Sequence, residues 1–266
     1  MKYLILFFYL SVIFPNTLKA QFDDRFYFPV KEWDEMKLSN YEEILLKKDS
    51  VQLSGIFLKT NGVPKATVLY FHGAGGNVTK YYELIKPLAE NGYQVLMIDF
   101  QGYGKSTGTP THLNIAEDAQ YVFNYLINRE DVKNTGIIIY GASMGTQAAA
   151  KIARDNQDKI SALILDGTIS SLMDIALMYC SEKEKQLMQY LVFPYSAKED
   201  IKYIENIPKL FVHSEEDDEV PISQGKIVYE NAKEPKTFWT FKGPHLQAMI
   251  LHKEEFLEKI YKLIKK

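Results

Sequence analysis

The segments suited to nucleophilic chemistry are short and well separated. The first is Gly141-Ala142-Ser143-Met144-Gly145. A serine carried on a tight strand-to-helix turn needs small residues two positions before and two after it, to avoid collision. Gly141 and Gly145 meet that need, so the spacing reads as a nucleophile elbow. The second segment is Phe71-His72-Gly73-Ala74-Gly75-Gly76-Asn77. Its glycines let backbone N–H groups face a developing oxyanion, and the amides of Ala74 and Met144 are the expected donors. A phosphate cradle is the competing reading, but neither G-x-G-x-x-G nor a G-K-[ST] ending is present. His72, just before the turn, is read as a structural hydrogen-bonding residue.

A base and an acid are needed to use that serine. Gly243-Pro244-His245 places a histidine on a late loop, from which it can reach the serine and take its proton. His252 falls in the closing helical pattern and is read as a surface or packing residue. Glu215-Glu216-Asp217-Asp218-Glu219 follows another apolar run, and a carboxylate there can orient the histidine. Chemistry alone does not choose among these acids. Most are read as a solvated loop, and no EF-hand spacing is present.

Apolar patterning supplies the elements that would position these groups. Residues 42–47 and 51–58 flank Asp49-Ser50 as an antiparallel hairpin. The runs at 66–71, 94–99, 136–140, 162–166 and 209–213 read as strands buried on both faces, with 237–241 as the last. Helical periods fall at 81–90, 115–127, 145–154 and 248–264. Alternation of strands and helices predicts a mostly parallel, doubly wound α/β sheet in one catalytic domain, residues 42–266. Ligands of such sheets bind beyond the carboxyl ends of the strands, where all of the segments above lie.

With those residues in place, the chain resembles the α/β-hydrolase superfamily, close to its serine-aminopeptidase-like and monoglyceride-lipase-like branch, over roughly residues 42–263. The order serine, acid, histidine is that of the superfamily. The resemblance also selects the acid. The family pattern is a strand ending in His-Gly, an acid four residues after that histidine, then Val-Pro. Here that gives His213, Asp217 and Val220-Pro221, with Ser214 in place of glycine and Asp218 as the alternative acid. Asp99-Phe100-Gln101-Gly102-Tyr103-Gly104-Lys105-Ser106 resembles the D-x-R-G-x-G-x-S loop, with Gln101 where arginine is common. It is read as shaping a pocket wall.

The resemblance implies two-step acyl transfer by Ser143, His245 and Asp217, with no metal or organic cofactor. The favoured substrate is an ester of a small or medium acyl group. A short peptide is the alternative, with the acids around Glu215 holding a free amine, and a noncatalytic binding protein on the same scaffold is another. Only a modest excursion, residues 168–208, is available to cover the serine. Its Leu172, Met173, Ile175, Ala176 and Leu177 suit either a hydrophobic pocket wall or a core-facing helix.

Composition bounds the remaining classes. The chain is 46% hydrophobic and 24% charged, as a folded protein is, and its net charge of −3 does not suit nonspecific nucleic-acid binding. A single cysteine, Cys180, excludes an intrachain disulfide. Residues 1–20 have the layout of a secretory signal peptide: Lys2, the apolar run 3–14, then Leu18-Lys19-Ala20 before a cut at Gln21. The run is shorter than the roughly 18 residues a membrane span needs. Export to the periplasm or outside is expected, with an uncleaved membrane anchor as the alternative. Residues 21–41 read as an N-terminal extension, and oligomeric state is not legible.

Overall fold

The computed structural model describes residues 26–37, 40–188, 191 and 193–265. Residues 1–20, read above as a signal peptide, and residues 21–25 lie outside them. Ten strands follow in chain order: β1 (Phe28–Pro29), β2 (Tyr41–Lys48), β3 (Val51–Leu58), β4 (Thr67–Phe71), β5 (Gly75–Gly76), β6 (Gln94–Asp99), β7 (Ile137–Ala142), β8 (Ala162–Asp166), β9 (Lys209–Ser214) and β10 (Lys236–Phe241). Eight of them form one sheet in the order β10-β9-β8-β7-β4-β6-β3-β2. The β2–β3 and β3–β6 pairs are antiparallel, and every other pair in the sheet is parallel. This is the α/β sheet with an N-terminal antiparallel hairpin that the pattern predicts.

Alternation along the central strands divides their side chains between two cores. Leu69, Phe71, Ile139 and Leu165 point to one face, whereas Val68, Tyr70, Ile138, Tyr140 and Ile164 point to the other. Both sets are buried because helices cover both faces, and each large apolar side chain so buried contributes about 1.5–3 kcal/mol. The carboxyl ends of β4 and β7 lie side by side, with Phe71 opposite Gly141. The chain leaves β4 for neighbours on opposite sides, a switch point that opens a crevice at this edge.

Two helices differ from their predicted spans. Residue 115 is not the start: the helix runs His112–Ile127, because the Thr111 side chain accepts the Asn114 N–H at 3.1 Å and caps it three residues earlier. The closing helix is two, Ala248–Leu251 and Lys253–Ile264, since His252 adopts a non-helical φ of −134° and ψ of 39°. The excursion after β8 begins with the helix Leu172–Tyr179, capped by Ser171, whose side chain accepts from Asp174 N–H at 3.0 Å.

Candidate active site

Ser143 occupies the sharpest turn of the crevice, between β7 and the helix Gly145–Asp155, with φ of +51°. An L-residue held there costs about 1–2 kcal/mol. The turn stays closed because its flanking glycines have no room for a side chain. A β-carbon on Gly145 would lie 2.2 Å from the Phe71 carbonyl oxygen, and one on Gly141 would lie 2.6 Å from that of Gly145. The Ser143 N–H donates to the Asp166 carbonyl at 2.8 Å, tying the elbow to the end of β8.

Asp217 and His245 come together from the loops after β9 and β10. Nδ1 of His245 lies 2.6 Å from Oδ2 of Asp217, and both side chains are nearly inaccessible to solvent. The other Asp217 oxygen accepts from Val220 N–H at 2.8 Å, which fixes the carboxylate. Burial lowers the His245 pKa, but the Asp217 hydrogen bond and the nearby carboxylates outweigh it, and the net shift is upward. On Asp217, burial pushes upward, but His245, the Val220 N–H and His213 together hold the carboxyl below its ordinary value. Asp218 is exposed, so the pairing falls to Asp217. Nε2 of His245 is buried without a hydrogen-bond partner, and none joins it to Ser143 in this structure. Such contacts are often long before substrate binds.

Two groups given no chemical role from the sequence, Asp166 and His213, lie near this pair. Asp166 is buried, takes a hydrogen bond from the Tyr140 hydroxyl at 2.7 Å, and has its other carboxylate oxygen unpartnered. Burial pushes its pKa up to about 6. His213 is buried with Nε2 2.9 Å from the Val220 carbonyl and 3.5 Å from Asp217, and burial lowers its pKa. Signals for both existed, an acid and a histidine at buried strand ends, but the same signal also marks packing residues.

The glycine-rich turn after β4 meets the elbow directly: a β-carbon on Gly73 would lie 3.3 Å from that of Ser143. The Ala74 carbonyl accepts from the Tyr103 hydroxyl at 2.6 Å and from Phe28 N–H at 2.9 Å. His72 is buried, with Nδ1 2.7 Å from the Gly73 carbonyl, and burial lowers its pKa to about 4. That leaves it neutral at pH 7. In the Asp99–Ser106 loop, Gln101 donates to Asp118 at 2.9 Å, and Lys48, also 2.9 Å from Asp118, supplies the cation.

Ser143, Ala74 and Met144 together line a cleft of about 420 Å3. Ile169, Ile175, Ala176 and Tyr179 form one side, so the first excursion helix is a pocket wall as well as a core element. Phe26 and Phe28 form another. Of the acidic loop, Glu219 lines the cleft, whereas Glu215 accepts from the Thr240 hydroxyl at 2.7 Å elsewhere.

An open parallel sheet, an elbow serine after its central strand, and a histidine–carboxylate pair on its last loops define a fold family. The chain belongs to the alpha/beta hydrolase fold family, which matches residues 66–200. It is 31% identical over 207 residues to the uncharacterized protein YfhR of Escherichia coli (strain K12), covering 76% of this chain and 72% of that one. It is also 31% identical over 193 residues to protein bem46 of Schizosaccharomyces pombe, covering 71% and 64%. Among solved structures, the esterase Pf2001 of Pyrococcus furiosus superposes with a TM-score of 0.71 at 19% identity, over 90% of this chain and 98% of that one. Est1E from Butyrivibrio proteoclasticus, solved with ferulic acid, gives 0.68 at 19% identity, over 84% and 100%.

Proposed function

We propose that the protein is a serine hydrolase of carboxylic esters with small or medium acyl groups. The observation that carries this reading is an elbow serine at the foot of an apolar cleft with an Asp217–His245 pair at the neighbouring strand ends. In the first step, His245 Nε2 takes the Ser143 Oγ proton as Oγ bonds to the ester carbonyl carbon. The Ala74 and Met144 amides hold the oxyanion. His245 then gives that proton to the departing alkoxide, leaving an acyl-enzyme and a free alcohol. Water, deprotonated by His245, releases the acid and restores Ser143. Asp217 holds the imidazole tautomer throughout.

A fluorophosphonate probe read by intact mass tests this reading, alongside turnover of p-nitrophenyl esters of increasing chain length. One adduct on the parent, none on Ser143→Ala, and matching loss of turnover is the expected result. No adduct and no turnover in folded protein would favour a binding scaffold. Glu219 in the cleft favours a second reading, in which its carboxylate meets the amine of an aminoacyl substrate. Faster cleavage of aminoacyl amides than of acyl esters would decide for that reading.

Export remains part of the proposal: a mature chain beginning at Gln21, read by mass spectrometry, supports it, and a retained Met1 refutes it.

A further inference from the structure

The extension before the hairpin is built into the crevice. Its β1 lies parallel to β5, with Phe28 opposite Gly75 and Pro29 opposite Gly76. Phe28 N–H donates to Ala74, Val30 N–H donates to Gly76, and the Val30 carbonyl accepts from Gly104 N–H. Asn77 reaches out to the carbonyls of Val30 at 3.0 Å and Glu32 at 2.8 Å. Lys31 donates to the Ser106 carbonyl at 2.9 Å. Trp33 Nε1 donates to Asp99 at 2.8 Å, and the other Asp99 oxygen accepts from Val78 N–H at 2.8 Å. One carboxylate therefore clamps the extension to the loop that carries Ala74.

What this clamp holds is apolar. Tyr27 turns into the core, while Phe26 and Phe28 line the same cleft as Ile175, Ala176 and Tyr179. Phe28 lines the same cleft as Ser143 and keeps 58% of its surface exposed, so it is not a core side chain.

We infer that residues 26–34 are a specificity wall of the active site, whose Phe26 and Phe28 bind the apolar chain of a medium-length acyl ester. This rests on the ester-hydrolase reading above and adds the part of the chain that selects acyl length. An acetyl group offers almost no apolar chain for such a wall to hold, so discrimination grows with chain length.

The test compares the full-length parent with the Phe26→Ala/Phe28→Ala double variant on p-nitrophenyl acetate, butyrate and octanoate. Fluorophosphonate labelling rate and thermal unfolding are measured on the same preparations. We expect kcat/KM on octanoate to fall about tenfold more than on acetate, as for other losses of apolar pocket contact. If the double variant fails to fold, Phe28→Ser serves instead, because that side chain is largely exposed. It should lower the octanoate-to-acetate ratio in the same direction. A parent that labels and turns over, with an unchanged ratio in the variants, overturns the specificity wall alone. A parent that neither labels nor turns over overturns the hydrolase reading and the wall with it.

Discussion

Gly167 sits so close to His245 that a β-carbon on it would fall 2.4 Å from Cε1 of the imidazole. Gly167 directly follows Asp166, whose carbonyl holds the Ser143 N–H. The end of β8 thus touches the backbone of Ser143 and the ring of His245. Gly167→Ala would push the ring off Asp217 and strain a φ of +57°. A displacement of about 1 Å costs on the order of a hundredfold in rate, so kcat should fall at least that much. Circular dichroism should report a folded protein.

The acid limb of the pH–rate profile should lie above the ordinary histidine pKa of 6.5, because the carboxylates around His245 raise it and the base must be neutral to act. The stabilisation from the paired imidazolium is full below pH 6.5 and is lost as pH rises through the raised folded value. The carboxylate's share is present above 3.8, its ordinary value, and is lost as pH falls through the lowered one. Asp217→Asn should move the acid limb downward and cut kcat by about a thousandfold or more. Asp166→Asn should move the limb the same way by less, since its charge acts only at a distance. Initial rates from pH 5 to 9 check all of these together.

Ser143→Gly should abolish turnover while stabilising the protein. Glycine adopts a φ of +51° without the cost of about 1 kcal/mol or more that serine bears there. A melting midpoint raised by about 2–4 °C is expected for a chain of this size. An unchanged or lowered midpoint would mean that the turn is relaxed with serine in place.

Tyr103→Phe removes the 2.6 Å hydrogen bond to the Ala74 carbonyl without touching the cleft. Freeing that peptide to rotate should lower kcat by about tenfold, less than deleting an oxyanion donor outright, with KM unchanged. Stopped-flow acylation measures the step directly. A change in KM alone would point to a wall rather than a brace.

Legibility in the sequence followed physical distance along the chain. β4, β6 and β8 carry unbroken apolar stretches because both faces are covered, and the elbow glycines lie two positions from Ser143, so local pattern sufficed. Asp217 was selected only through resemblance, since five neighbouring acids are chemically alike and differ in what the fold brings to them. The contacts of Trp33 with Asp99 and of Phe28 with Ala74 span many residues, beyond the reach of local pattern, and the second joins backbone to backbone, which carries no sequence signature. The break at His252 was invisible for a related reason: neither glycine nor proline marks it.

The extension also sets an order of assembly. Residues 26–34 are synthesised before the strands whose loops they cross, and Lys31 must find a partner 75 positions later. Those loops acquire their shape only once β4 and β6 have paired, and contacts this distant form late. Early-made residues are therefore seated after later-made ones. A nascent or half-folded chain has its elbow serine before it has a finished cleft, because Phe26 and Phe28 join the lining only when the extension is seated.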